Sequence, residues 1–151
     1  MRDHLPSTAE LRDRAAIHDV VMRYARAVDR RDFAGVAACF TSDASYSGML
    51  SRRDVADALR SLHTSLGRYD VTQHFMGNQL VEIQGDAARV ETYCVAHHRP
   101  SAAGQEDDLL IVGVRYHDEM TYRDGAWSIV RRTVTYDWRR HDRGVLRGGA
   151  P

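Results

Sequence analysis

Apolar residues recur at helical spacing through the first third of the chain and at every second position after residue 69. The first apolar stripe predicts an amphipathic helix over about residues 8–29. It comprises Ile17, Val20, Val21, Tyr24 and Val28. Ser7 and Glu10 form a capping box that fixes the start of this helix, because each side chain can satisfy a backbone donor of the other.

Two shorter helices and a strand are predicted next. A helix fits residues 32–40, and the turn-like residues 41–43 end it. Residues 44–50 are typical of a short strand. Ser51 with Asp54 repeats the capping pattern, and the apolar spacing that follows predicts a third helix that stops near Gly67.

The rest of the chain alternates with period two, which predicts strands over residues 69–83, 87–98, 109–122 and 126–138. Gly85-Asp86 and Asp124-Gly125 are typical hairpin turns, and a longer loop joins the middle pair. Three N-terminal helices before an antiparallel meander predict a cone-shaped α+β barrel, with the helices against a curved, mostly antiparallel sheet. The expected domain is residues 1–138, with a mobile tail over residues 139–151.

Strand parity predicts which side chains face the interior. Even positions in strand 87–98 are the apolar set, so His98 and Cys94 are expected inside and His97 outside. Even positions are also predicted inside in the last two strands. They include Val114, Tyr116, Val130, Arg132, Tyr136 and Trp138. The face of His74 stays open at this point, because a bulge at Gly77 would change the parity of its strand.

The amino-acid composition excludes several classes of function. The 21 basic residues, all arginines, balance 21 acidic ones, so no overall field favours nucleic acid or an anionic membrane. Without lysine, Schiff-base chemistry on this chain is excluded. The two cysteines lie far apart and are expected to be buried free thiols. The lack of a long apolar segment or leader leads us to expect a cytoplasmic protein.

Asp29 is unusual because it closes the first helix, where the helix dipole disfavours a carboxylate. Solvation or an arginine partner, Arg30 or Arg31, would explain it. A hydrogen bond to an imidazole, which would orient the ring, would explain it equally well.

The segment from Arg14 to Asp19, followed by Tyr24 and residues 27–31, resembles the opening helix of SnoaL-like proteins of the nuclear transport factor 2-like superfamily. The resemblance extends over about residues 8–138. Later landmarks are residues 44–46, His74, residues 122–127 and the strand of Arg132.

Members that this chain resembles include scytalone dehydratase, the bile acid 7α-dehydratases and hexachlorocyclohexane dehydrochlorinase. The resemblance implies a catalytic pair of Asp29 and His74, with His98, Tyr24 and Tyr46 as further catalytic groups. It also implies substrate contact by Arg132. The inner face adds Tyr116, Cys94, Val114 and Tyr136 as candidate substrate-binding residues. Tyr24 stands where the dehydrochlorinase has lysine, which favours dehydration or isomerisation over dehalogenation.

The resulting hypothesis is a dehydratase, isomerase or polyketide cyclase that performs acid–base catalysis without a cofactor. Its expected substrate is a small, apolar, ring-containing compound with an oxygen function. The alternative is a non-catalytic binding or dimerisation module. A metal site is the rival for two histidines and an aspartate, but their spacing is not that of helical ligands, and no metal is expected. A homo-oligomer, dimer or trimer, is also expected, since some members of the superfamily associate through the sheet.

Overall fold

A computed structural model of the protein, which describes residues 5–48, 52–101 and 108–143, has three helices packed against one curved sheet. The helices are α1 (Thr8–Asp29), α2 (Phe33–Ala37) and α3 (Val55–Leu66). The strands are β1 (Phe40–Ser47), β2 (Arg52–Asp54), β3 (Tyr69–Gln84), β4 (Ala87–Pro100), β5 (Leu109–Arg123) and β6 (Ala126–Asp142).

The strand order is β2-β1-β6-β5-β4-β3, and every pairing is antiparallel except the parallel pair β1–β6. This arrangement confirms the predicted α+β fold. None of the helices within the described ranges is long and apolar enough to cross a membrane.

The element boundaries differ from the prediction mainly between residues 32 and 54. Helix α2 is shorter than predicted, because β1 already begins at Phe40 and includes the residues read as a turn. The short strand β2 was not predicted, and Asp54 caps α3 by accepting a hydrogen bond from the Asp57 amide at 2.7 Å. The predicted contribution of Ser51 lies outside the described residues, as do the last two residues of the predicted strand 44–50.

Both hairpin turns form as predicted. Gly85, Asp124 and Gly125 adopt positive φ angles of 60°, 52° and 81°. Strand β6 continues to Asp142, four residues beyond the predicted end of the domain, because residues 139–142 pair with the start of β5. The predicted mobility of the tail stays a prediction for residues 144–151, which lie outside the described ranges.

Shifts in strand register explain which predictions of inward-facing side chains are correct. A shift between Met76 and Gln79 confirms the bulge at Gly77, so Thr72 and His74 face the interior before it and Val81 does after it. In β4 the even positions from Ala88 to Ala96 are buried, as predicted.

Two predictions for β6 are wrong because this strand is irregular at two places. A shift opposite Glu119 and Met120 turns Ile129 inward, where it is fully buried, and leaves Val130 half-buried. A second shift, opposite Gly113 and Val114, pairs Trp138 with Gly113. The indole of Trp138 fills the space where a Cβ at position 113 would lie, which by strand parity is on the outer side of the sheet, and the residue also borders the edge of the cavity that the sheet and α3 enclose.

The interior is mostly apolar, and the buried polar residues among those described are two threonines, Thr72 and Thr92, and one ion pair. Arg132 and Asp118 are cross-strand partners with fully buried side chains, and the guanidinium Nε and Nη2 each donate to the carboxylate at 2.7 Å. The guanidinium carbon lies 4.0 Å from the centre of the Tyr24 ring and 4.4 Å from that of Tyr116. Substitution of this pair would therefore measure how much one charged contact contributes to the stability of the core.

Replacing Arg132 by Met should lower the free energy of unfolding by about 3–5 kcal/mol, because Asp118 would be left as an unpaired buried charge. Chemical denaturation measures this change. The matched control is Arg131→Met, which breaks the neighbouring exposed pair with Glu119 and should lower the free energy by less than about 1 kcal/mol. Equal losses in the two variants would contradict the assigned role of the buried pair.

Candidate active site

The sheet and α3 enclose a cavity of about 830 Å³, which is within the size range of small-molecule sites. Its wall is mostly aliphatic and aromatic, and the aliphatic part comes mainly from α2, α3, β5 and β6. The predicted residues that line it are Tyr24, Tyr46, His74, His98, Val114, Tyr116 and Tyr136. Most of the predicted site residues, which are far apart in the sequence, therefore share one concave surface.

Asp29 lies behind His74 and holds it from the end of α1. Its Oδ1 atom is 2.7 Å from the His74 Nδ1 atom, and its Oδ2 atom accepts a hydrogen bond from the His74 amide at 2.9 Å. Strand β3 is at the edge of the sheet, so the carboxylate also satisfies a backbone donor that has no strand partner. Asp29 thus joins the C-terminus of α1 to the free edge of β3.

This geometry explains how a carboxylate is tolerated at the end of a helix. Partial burial would raise the pKa of Asp29, but hydrogen bonds from the ring and amide of His74 and from the Thr72 hydroxyl hold it below its usual value. Asp29 is therefore ionised at neutral pH. Neither neighbouring arginine pairs with this carboxylate, since Arg31 donates to the backbone carbonyl of Asp29 instead.

His98 lies beside His74 on the neighbouring strand. The ring centres are 5.8 Å apart in an edge-to-face arrangement, and the ring of Tyr69 packs on His98 at 4.9 Å. Burial, with a contribution from His74, lowers the pKa of His98 to about 4. His98 is therefore neutral at pH 7, so one of its ring nitrogens can donate a hydrogen bond and the other can accept one.

Three buried tyrosines line the same cavity. Burial raises the pKa of Tyr24, Tyr46 and Tyr116, and the hydroxyls of Tyr24 and Tyr46 interact with each other. All three phenols therefore stay protonated at neutral pH and can serve as hydrogen-bond donors.

Two predicted substrate-binding residues do not line the cavity. Arg132 lies behind Tyr24 and Tyr116 and is engaged by Asp118, so the predicted contact with substrate is wrong. Cys94 is also beneath the wall, and burial raises the pKa of its thiol to about 12. Strand parity correctly placed Arg132 and Cys94 on the inner face of the sheet. However, side chains on that face can be buried in the core as well as line the cavity.

A model of the SnoaL-like domain family matches residues 9–133, which is most of the chain. The chain belongs to the SnoaL-like family. This SnoaL-like domain is also 30% identical over 135 residues to the uncharacterized protein Rv2910c of Mycobacterium tuberculosis, covering 85% of this chain and 88% of that protein.

Solved structures share the fold of this SnoaL-like domain at lower identity. Hexachlorocyclohexane dehydrochlorinase LinA-type3 from Novosphingobium barchaimii is 18% identical with a TM-score of 0.80, covering 93% of this chain and 97% of that one. A scytalone dehydratase candidate from Novosphingobium aromaticivorans is 21% identical with a TM-score of 0.77, with the same coverage. At these identities the likeness establishes the fold alone.

Sequence reasoning missed three residues of the SnoaL-like site, namely Thr72, Arg68 and Arg139, and it named Arg31 only as a possible ion-pair partner of Asp29. Thr72 and Arg31 support Asp29, and Arg68 and Arg139 line the cavity. The shared parity of Thr72 and His74 was an available signal for Thr72. Nothing in the sequence marks Arg68 or Arg139 as site residues, and Arg139 was assigned to the tail. Within the described ranges, no group of three or more His, Cys, Asp or Glu side chains could hold a metal ion.

The lowered pKa of His98 predicts a stability change with pH. The pKa is about 4 in the folded protein and 6.5 in an unperturbed histidine, so the unfolded chain binds the proton first as the pH falls. The free energy of unfolding should therefore decrease between about pH 6.5 and 4. The His98→Gln variant should lack this pH-dependent contribution. The difference in the free energy of unfolding between the wild type and the variant should therefore change between about pH 6.5 and 4 and stay constant above pH 7. Urea denaturation at several pH values measures it, and a constant difference would contradict the assignment.

Proposed function

We propose that this SnoaL-like domain catalyses cofactor-independent proton transfer on a small ring-containing carbonyl or hydroxyl compound, as a dehydratase or isomerase does. The observation that carries the proposal is the 2.7 Å contact between Asp29 and Nδ1 of a histidine that lines the cavity. Because the ionised carboxylate accepts a hydrogen bond at Nδ1, it favours the tautomer in which Nε2 keeps its lone pair. His74 is then a general base oriented by Asp29.

The proposed reaction begins when Nε2 of His74 removes a proton from the carbon next to a carbonyl. In a dehydration, the electron pair of that C–H bond forms the new double bond as the neighbouring C–O bond breaks. The departing oxygen takes a proton from Tyr24 or Tyr46 and leaves as water, while neutral His98 donates a hydrogen bond to it. The proton that His74 removed then returns to the phenolate, which restores both groups. In an isomerisation, the same donors stabilise the enolate oxygen. Burial keeps the phenols protonated, which supports their role as hydrogen-bond donors to the enolate or the departing oxygen.

Replacing His74 by Ala should reduce catalysis by about 10²- to 10⁴-fold, the usual contribution of a general base. The assay is deuterium exchange at the carbon next to the carbonyl of a bicyclic aromatic ketone such as 2-tetralone, followed by NMR in D₂O. His97→Ala is the matched control, because His97 lies on the neighbouring strand β4 and its side chain faces the opposite side of the sheet. It should keep wild-type exchange.

Full exchange in His74→Ala would contradict the base assignment. A wild-type protein that binds the ketone but never exchanges its proton above the buffer rate would favour the alternative binding module.

The charges around the cavity refine the expected substrate. Among the described lining residues there is no Asp or Glu, while Arg68 and Arg139 contribute guanidinium groups. Arg139, Val112, Ala96 and His74 form one row across four strands. This row spans about 14 Å at the usual spacing between strands. A substrate that reacts at His74 and carries a carboxylate at its far end would match this row.

Arg139→Ala should therefore raise the KM for a substrate with a distal carboxylate and leave the KM of its neutral methyl ester unchanged. Loss of one exposed charge contact predicts a change of about 3- to 10-fold. Arg140→Ala is the control, because Arg140 is directed to the outer face and pairs with Asp142. An equal change in the KM of the acid and of its methyl ester would contradict the proposed carboxylate at the far end of the substrate.

A homo-oligomer stays a prediction, supported by exposed aromatic side chains on the outer face of the sheet, namely Phe75, Tyr93 and Trp138. The cytoplasmic location and the lack of a cofactor are likewise predictions.

A further inference from the structure

The end of α1 has an unusual residue at its capping position. The Asp32 amide donates to the Ala27 carbonyl at 2.9 Å and the Arg31 amide to the Val28 carbonyl at 3.1 Å, which together form a Schellman motif. Its left-handed position is occupied by Arg31, with a φ of 59°. Glycine is the usual residue there, and any other residue costs roughly 1 kcal/mol or more. The arginine side chain must therefore contribute something that glycine lacks.

That side chain reaches across to β3. Its Nη1 atom donates to the Thr72 hydroxyl at 2.7 Å and to the carbonyl of Val28 at 3.2 Å. Its Nη2 atom donates to the carbonyl of Tyr69 at 3.0 Å. The Thr72 side chain is in turn 3.0 Å from Oδ1 of Asp29, the same oxygen that contacts His74.

The direction of these hydrogen bonds follows from the donor inventory. A guanidinium can only donate, so the Thr72 oxygen accepts from Arg31. The single hydroxyl proton of Thr72 is then directed at Asp29, whose ionised oxygen can only accept. The chain of donors therefore runs one way, from Arg31 through Thr72 to Asp29, and it fixes the oxygen that faces His74.

We propose that Arg31, acting through the hydroxyl of Thr72, is a positioning residue that holds the Asp29 carboxylate against Nδ1 of His74. Neither residue lines the cavity, so they act through Asp29 rather than on the substrate. The inference rests on the proposed function for its catalytic consequence, but its structural part concerns only the Asp29–His74 hydrogen bond.

The first test compares Thr72→Val with Thr72→Ser. Valine keeps the shape and removes the hydroxyl, while serine keeps the hydroxyl. In Thr72→Val the downfield Nδ1–H proton resonance of His74 should move or be lost to exchange with water, and in Thr72→Ser it should stay as in the wild type. ¹H NMR measures it, and the spectrum of His74→Ala assigns the resonance. The kcat of Thr72→Val should fall about 10-fold with KM unchanged, as for other groups that orient a functional histidine.

The second test uses Arg31→Gly, which fits the left-handed position without strain and so preserves the backbone cap. This variant should also change the His74 resonance. In the double variant Arg31→Gly/Thr72→Val, the resonance should match that of Thr72→Val alone, because Arg31 acts through the hydroxyl. An unchanged resonance in Thr72→Val would overturn the proposal, and additive changes in the double variant would overturn the part assigned to Arg31.

These readouts separate this inference from the proposed function. The NMR resonance needs no substrate, so a changed resonance in a protein that exchanges no ketone proton would support the positioning role and remove only its catalytic consequence. Normal exchange in Thr72→Val, with an unchanged resonance, would remove the positioning role and leave His74 as the base.

Discussion

The interior of this protein depends on one fully desolvated ion pair, Arg132 with Asp118. Burying each ion is costly, by several kcal/mol in real proteins, and close attraction offsets this only when the geometry is good. Here two parallel hydrogen bonds of 2.7 Å supply that geometry, and the rings of Tyr24, Tyr116 and Phe40 surround the guanidinium. Two tyrosines that line the cavity, Tyr24 and Tyr116, are therefore packed against a buried cation, which also contacts the Tyr24 hydroxyl.

Periodicity was sufficient to predict the fold because most elements are long and regular. Helix α1 and the four long strands were predicted nearly to their ends, and the hairpins were predicted from turn residues. Errors occurred where the backbone is irregular, since a bulge inverts parity without a marker in the sequence. Val130 and Trp138 were misplaced in this way, whereas Gly77 marked the bulge of β3. The β2 strand is too short for a periodic signal.

The candidate site could be predicted only in part, because a pattern gives the face of a side chain but not its depth or partner. Tyr116 and Arg132 share the inner face, yet one lines the cavity and the other is buried beneath it. The pairing of Asp29 with His74 came from a family resemblance, not from spacing. Arg31 and Thr72 are 41 residues apart, and their contact follows from how α1 docks on the edge of the sheet.

The structure separates the Asp29–His74 pair from much of the cavity wall. Asp29, Thr72 and His74 are held at the junction of α1 and β3, where each carboxylate oxygen has at least one donor. Much of the opposing wall comes from α3, in which only Leu66 is buried and Val55, Leu59 and Leu62 pack partly against the cavity. Because these side chains belong to a different element from Asp29, Thr72 and His74, substitutions on α3 can reshape the cavity without changing the hydrogen bonds of His74. The shape of the cavity can therefore vary within this scaffold while the Asp29–His74 geometry stays fixed.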